Sequence, residues 1–363
     1  MRVAMTGAEG FLGWHTRCAL SEKGATTQTI RVGASFDRTA AAASLAGASR
    51  LIHLAGVNRA AEDDVRTGNI LFAEQVAELL RRSDAPPATV VYSNSTQAGN
   101  GTPYGDGKAR AAEILAVAAS DLGLEFVDVR LPNLFGEHGR PFYNAVTATF
   151  SHILAEGGEP KVKDDKELTL LHAQSAADLL IGTVAPGDQP HLEVRQTVSG
   201  LLERLTGLAR IYRAGEIPDV ASSFDRDLFN TYRSYLVGAQ SPIKLTRHAD
   251  VRGSFFEIIR SHGGPGQSSF STTVPGVTRG NHFHRRKIER FTVLSGQGRI
   301  ALRRMFTDQV LEFDVKGDEP LAIDMPTMWA HNIKNTGTGD LFTSFWTNEI
   351  FDPHAPDTTP EEV

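Results

Sequence analysis

One cysteine, Cys18, stands among 363 residues, so no internal disulfide can form. A lone cysteine in an early helical stretch reads as a small buried hydrophobe. Positive charge is also in deficit: 37 Lys and Arg face 43 Asp and Glu, a formal net charge of −6. That balance argues against a nucleic-acid partner, which would need a basic footprint. No apolar run approaches the roughly 18 residues of a membrane helix. The opening MRVAMTG enters a strand pattern without the apolar segment of a secretory signal. A cytoplasmic protein with no membrane insertion is the expectation. Internal repeats are missing, and low complexity is confined to the Ala-rich 39–48.

What is present divides the chain in two. Residues 1–240 alternate apolar strand candidates with helical stretches. VAMTG (3–7) precedes WHTRCALSEKG, RLIHLAG (50–56) precedes NILFAEQVAELLRRS, and TVVYSNS (89–95) precedes GKARAAEILAVAASDLG. This rhythm predicts an α/β, doubly wound parallel sheet. VSGLLERLTG (198–207) and FDRDLFNTYRSYL (224–236) read as its last helices. Short alternating pieces then follow, among them RFTVLSGQGRIALRR, LAIDM and LFTSFW, and predict an all-β sandwich or barrel. SPIK (241–244) marks the seam, giving expected domains 1–240 and 241–363. The closing HAPDTTPEEV reads as a polar tail.

Gly7-Ala-Glu-Gly10-Phe11-Leu12-Gly13 lies between a strand and a helix. Gly7 permits the tight turn, Gly10 lets the backbone approach a pyrophosphate, and Gly13 permits close helix–strand packing. After the second strand, where a ribose-binding acid is usual, Arg31 appears, with Asp37 further along. A guanidinium matches a 2′-phosphate that a carboxylate would repel, which favours NADP(H) over NAD(H). A solvated strand-end arginine is the alternative reading. Tyr104 and Lys108 stand four apart, on one helical face, with Ser95 preceding them. A nearby ammonium is expected to lower the phenol's pKa. Ser95 can donate to a substrate carbonyl, which completes a hydride-transfer site.

The second half offers GNHFHRRKIERF (280–291). His282 and His284, two apart, fall on one side of a strand. Glu289 follows, and His331 stands after a Pro-containing turn in MPTMWAHNIKN. Three imidazoles and a carboxylate suit zinc, and also Fe²⁺, Mn²⁺ or Ni²⁺. Arg279 and Lys287 are candidates for stabilising an enolate or contacting a diphosphate. Arg285, Arg286 and Arg290 read at least equally as solvated surface charge. Trp329 reads as packing or a sugar platform, and Trp346 as core.

Residues 1–240 resemble the extended short-chain dehydrogenase/reductase family, through TGAEGFLG, HLAG (53–56), Asn69, Ser95, Tyr104, Lys108 and RLPNLFG with Asn133. The resemblance implies cofactor contacts from Leu54, Ala55 and Gly56. It also implies that Asn69 holds the helical region near the cofactor and that Asn133 borders a nucleotide-sugar substrate. Gln174-Ser175 departs from it, standing where an acidic pair is usual. Residues 245–352 resemble the cupin (jelly-roll) fold through Gly280, His282, His284, Glu289, Gly296, Pro326, His331 and Asn335.

The whole chain is similar to bacterial capsular-polysaccharide enzymes that fuse such a reductase to a cupin. The stretches LAGVNR (54–59), FYNAVTATF (142–150), ADVRGSFFEI (249–258) and TNEIFDP (347–353) carry that similarity. It implies a homodimer acting on a UDP-2-acetamido-2,6-dideoxy-4-keto hexose, with zinc-associated C3 epimerisation and then NADPH-dependent C4 reduction, on the route to UDP-N-acetyl-L-fucosamine. The order has a physical reason: the 4-keto group acidifies the C3 hydrogen, and reduction removes that acidity. A reductase with a structural or sugar-binding cupin, and one fused to an oxygen-dependent dioxygenase, are the alternatives.

Overall fold

Alternation within single strands shows why the first half is layered. In β1 (Arg2–Thr6), Val3 and Met5 join one buried cluster and Ala4 the other. In β4 (Thr89–Ser95), Val91 faces the first cluster while Val90 and Tyr92 face the second. A strand apolar on both faces must be covered on both sides, and helices do so here. The computed structural model describes residues 1–238 and 242–363; Ser241, where the expected seam begins, lies outside the described residues.

With β2 (Thr26–Ile30), β3 (Arg50–His53) and β5 (Glu125–Leu131), these strands form a five-stranded sheet in the order β2-β1-β3-β4-β5. Every pair in it is parallel. The order reverses between β1 and β3, and that switch opens a crevice at the strands' carboxyl ends. Helices α1 (Phe11–Glu22), α2 (Arg38–Leu45), α3 (Glu62–Arg81) and α4 (Pro103–Asp121) connect the strands. Thr102 caps α4 by accepting from the Gly105 N–H at 3.1 Å, and Pro103 occupies the first turn, where no N–H is needed.

The all-β stretch folds as two five-stranded antiparallel sheets. One takes β6 (Gln267–Thr273), β8 (Glu289–Ser295), β11 (Leu321–Met325) and β13 (Leu341–Thr347), in the order β6-β13-β8-β11, with Ile243–Lys244 at its edge. The other takes β7 (Thr278–Phe283), β9 (Gln297–Arg304), β10 (Val310–Lys316) and β12 (Trp329–Asn335), in the order β10-β9-β12-β7, with Thr359–Pro360 at its edge. Phe291, Val293, Ile300, Leu302, Ile323 and Ile333 fill the space between them. Trp329 packs into that core with its Nε1 donating to His138 Nε2 at 3.1 Å, and Trp346 is buried as well.

The compact units depart from a division at 240. One comprises 1–135 and 168–195, the other 136–167 and 196–363. The helices Val198–Arg213 and Ser223–Arg233 therefore group with the β-sandwich, and a buried polar node explains why. Arg290, 1% exposed, pairs with Asp324 through Nε at 2.6 Å and Nη2 at 2.9 Å. Arg290 Nη1 donates to the Gly215 carbonyl at 2.7 Å, and the Tyr212 hydroxyl donates to Asp324 at 2.8 Å. The expectation that Arg290 is solvated surface charge is thus corrected, because its guanidinium is fully enclosed by these partners. Arg285 is buried too, and Arg286 is held by Glu349 at 3.1 Å. The segment 354–363 is not a loose tail either: Thr359 pairs with Phe283, and the Glu361 N–H donates to Asn281.

Candidate functional site

The turn after β1 sits at the sheet's switch point. Gly7 has φ +69°, and a Cβ there would lie 2.7 Å from the Ala55 nitrogen. No side chain fits that close approach between two strand ends. A Cβ on Gly13 would meet the Gly7 carbonyl at 2.1 Å, so α1 packs directly onto the turn. Gly10 serves as N-cap of α1, leaving the helix's first amides directed at the crevice. Phe11 and Leu12, half-buried, form its first turn. The Thr6 hydroxyl accepts the N–H groups of Leu54 and Ala55, both at 3.1 Å, and lies 2.6 Å from His53 Nδ1. Burial, and then Lys108, lower the His53 pKa to about 3, so its imidazole is neutral.

Asn69, buried on α3, fixes the loop beyond β3. Its Nδ2 donates to the carbonyls of Val57 and Val65, both at 2.7 Å, and its Oδ1 accepts the Val57 N–H at 3.3 Å. A Cβ on Gly56 would lie 2.9 Å from that Oδ1. Arg31 lies exposed just beyond β2. Asp37 instead caps α2, accepting the Ala40 N–H at 2.9 Å. Asn133 opens the short strand Asn133–Phe135 and donates to the Thr169 carbonyl at 3.2 Å.

Ser95 ends β4, and its hydroxyl hydrogen-bonds Tyr104 near the start of α4. Lys108, one turn on, is 4% exposed. Its Nζ donates to the Ser93 carbonyl at 2.5 Å and lies 4.2 Å from the Tyr92 ring centroid. Desolvation pulls Lys108 down to about 7 against the opposing field of Asp128. The expected lowering of the Tyr104 pKa does not occur: burial raises it, and the Ser95 hydrogen bond only opposes that rise. The phenol therefore holds its proton at neutral pH.

Between the two β-sheets, His282, His284, Glu289 and His331 bring four ligating atoms within 4.8 Å of one another. A β-bulge places His282: register shifts between Gly280 and His282, so His282 pairs with His331. Gly280 takes φ +100°, and a Cβ there would lie 2.8 Å from the His331 carbonyl. His284 Nδ1 hydrogen-bonds the Asp357 carbonyl, and His331 Nδ1 lies 3.2 Å from the Trp329 carbonyl. A carbonyl only accepts, so each Nδ1 carries the proton and each Nε2 presents a lone pair.

Those two Nε2 atoms lie 3.1 and 3.2 Å from Glu289 Oε2. Two lone pairs facing one carboxylate oxygen suit a cation between them, so the donor set fits a divalent metal. Burial by itself disfavours charge on Glu289, so a cation shared with the two Nε2 lone pairs is what would keep its carboxylate ionised. Burial, followed by the neighbouring histidines, lowers the His282 pKa to about 3, which keeps its imidazole neutral.

The cluster opens into a cavity of about 340 Å³. Gln267, Ser269 and Ser271 give it a polar wall, while Phe291, Ile333 and Phe345 give an apolar one. Arg279 lines it with Nε donating to Thr273 Oγ1 at 3.1 Å. Lys287, buried, donates to the Pro356 carbonyl at 2.8 Å. Sequence reasoning missed Asp357 and Asn348, the latter accepting the Ile288 N–H at 2.7 Å. Neither stands at a recognisable metal-ligand spacing.

The NAD dependent epimerase/dehydratase family matches residues 3–181, and the polysaccharide biosynthesis C-terminal domain matches 248–359. A UDP-2-acetamido-2,6-beta-L-arabino-hexul-4-ose reductase of Pseudomonas aeruginosa is 32% identical, with 99% of this chain and 98% of that protein covered. The crystal structure of the capsular polysaccharide assembling protein CapF from Staphylococcus aureus aligns over 100% of both chains, with TM-score 0.61 and 32% identity. A UDP-glucose 4-epimerase from Thermotoga maritima shares the fold alone, at 16% identity and TM-score 0.53 over 65% of this chain and 98% of that one.

Proposed function

The chain belongs to the bifunctional UDP-sugar epimerase/reductase family of capsular polysaccharide biosynthesis, and we propose that it epimerises C3 of a UDP-linked 2-acetamido-2,6-dideoxy-4-hexulose before reducing C4. One observation carries this reading: a single chain holds both the Ser95–Tyr104–Lys108 constellation and the His/Glu cluster above a 340 Å³ cavity.

NADP(H) supplies the hydride when bound, and a divalent cation supplies Lewis-acid polarisation of the 4-keto oxygen. Tyr104, kept protonated by burial, donates a proton to the C4 oxygen, with Ser95 orienting the carbonyl. Gly7, Gly10, Phe11, Leu12 and Gly13 cradle the pyrophosphate through their backbone. Leu54, Ala55, Gly56, Asn69 and Lys108 border the nicotinamide side. Arg31, exposed where an acid would repel a 2′-phosphate, supports NADPH over NADH. Asn133 borders the sugar nucleotide in the reductase site. In the other site, His282, His284, Glu289 and His331 would hold the cation, zinc on this reading, and Arg279 and Lys287 would present positive charge to the enolate or the diphosphate. The reductase function is assigned to 1–240 and the cupin function to 241–363, in a cytoplasmic homodimer.

Incubating the 4-keto substrate in D₂O without NADPH tests the assignment. Deuterium is expected at C3, lost in His282→Ala and retained in Tyr104→Phe. Absence of exchange with metal bound leaves a reductase with a structural cupin, and stoichiometric oxygen uptake indicates a dioxygenase.

A further inference from the structure

The three histidines of the cluster are not held alike. His282 hydrogen-bonds the backbone of Gly280, and His331 the carbonyl of Trp329, each two residues back in its own strand. His284 instead relies on the carbonyl of Asp357, 73 residues away. The side chain of the same aspartate then captures the turn that follows His284. Its Oδ1 accepts the Arg285 N–H at 2.9 Å, and its Oδ2 accepts those of Arg286 at 3.0 Å and Lys287 at 2.8 Å.

Asp357 is 5% exposed and takes φ +43°, a left-handed conformation uncommon outside glycine. Such a backbone persists only where its surroundings over-determine it. Those surroundings are on both sides. Lys287 Nζ donates to the Pro356 carbonyl, Thr359 pairs with Phe283, and Arg303 Nη2 binds Glu361 at 2.5 Å. One segment thus spans the connector between two ligand positions, His284 and Glu289.

We propose that Asp357 is a positioning residue for the metal site. It fixes the His284 tautomer through its carbonyl and holds the 285–287 turn through its carboxylate, so that residues 356–361 act as a strap on the cluster. The proposal rests on the metal reading above. Outer partners of this kind set ligand orientation and typically contribute about 10–100-fold to metal affinity. Asp357→Ala removes both side-chain acceptor oxygens and the three hydrogen bonds they accept. Asp357→Asn keeps one carbonyl oxygen and turns the other acceptor into a donor, so it restores only part of the hold.

Zn²⁺ affinity of the full chain, measured by competition with a chromophoric chelator, is the first readout; the visible spectrum of the Co²⁺-substituted protein is the second. Asp357→Ala is expected to weaken Zn²⁺ binding by about 10–100-fold and to alter the Co²⁺ bands, with Asp357→Asn intermediate in both. NADPH binding is expected to stay at the wild-type level. If Asp357→Ala does not fold, Asp357→Asn decides. Affinity within about twofold of wild type, with unchanged Co²⁺ bands, overturns the strap. A wild-type chain that binds no Zn²⁺ overturns the metal reading and the strap with it.

Discussion

Two deeply buried long cations, one in each compact unit, are treated in opposite ways. Arg290 meets Asp324 in a two-point ion pair, with Tyr212 and the Gly215 carbonyl completing the shell. Burial lowers its pKa, but Asp324 outweighs that and leaves it raised. Lys108 meets the Ser93 carbonyl and the face of Tyr92, and burial wins. A compensated buried charge belongs to the scaffold, whereas an under-compensated one, with a pKa moved towards neutrality, marks chemistry.

Removing one partner of the pair should have the largest effect on stability. Asp324→Ala leaves Arg290 buried and uncompensated, an expected cost of about 3–5 kcal/mol in chemical denaturation. Adding Arg290→Met to that variant should recover much of the loss; if it does not, the pairing is not what the single variant removed. Lys108→Met should behave in the reverse manner. NADPH-dependent turnover is expected to fall by at least about 10²-fold, while the denaturation midpoint stays or rises, because a poorly compensated buried cation has gone. A large loss of stability would place Lys108 with Arg290 in the scaffold.

The smallest effect is in pH. Lys108 binds its proton less tightly in the folded chain, at about 7, than at the ordinary 10.5. Between those values the unfolded chain carries more protons, so folding stability attributable to Lys108 rises with pH across that window. Denaturation at pH 7 and pH 9.5 should therefore show wild type gaining relative to Lys108→Met. An identical pH dependence in the two proteins would remove the distinction.

How much of this was legible depends on how far each contact reaches along the chain. β1, its glycine turn and α1 form one continuous stretch, and Ser95, Tyr104 and Lys108 span a strand end and the next helix. Such features show in spacing. The convergence of His282, His284, Glu289 and His331 into one candidate cluster was readable too, because His282 and His284 alternate on one strand and His331 follows a turn. The fates of the arginines were not. A guanidinium reads the same whether solvated or buried, and Asp324, which decides the matter for Arg290, is 34 residues away. HAPDTTPEEV has no period to betray burial, and its role arises from partners about 70 residues upstream. The Tyr104 shift went against expectation because spacing reports the neighbouring ammonium but not the desolvation.

The three glycines after β1 differ in how strictly they exclude a methyl group, and so carry separable information. Gly7 is constrained by backbone conformation and Gly13 by a carbonyl 2.1 Å from any Cβ, so both are demanded by the fold itself. At Gly10 the nearest obstacle to a Cβ is the Gly7 carbonyl, at 3.4 Å, an ordinary contact distance. Packing therefore places little demand on Gly10, so a screen for soluble expression is expected to read two letters of this motif, and a screen for dinucleotide retention all three.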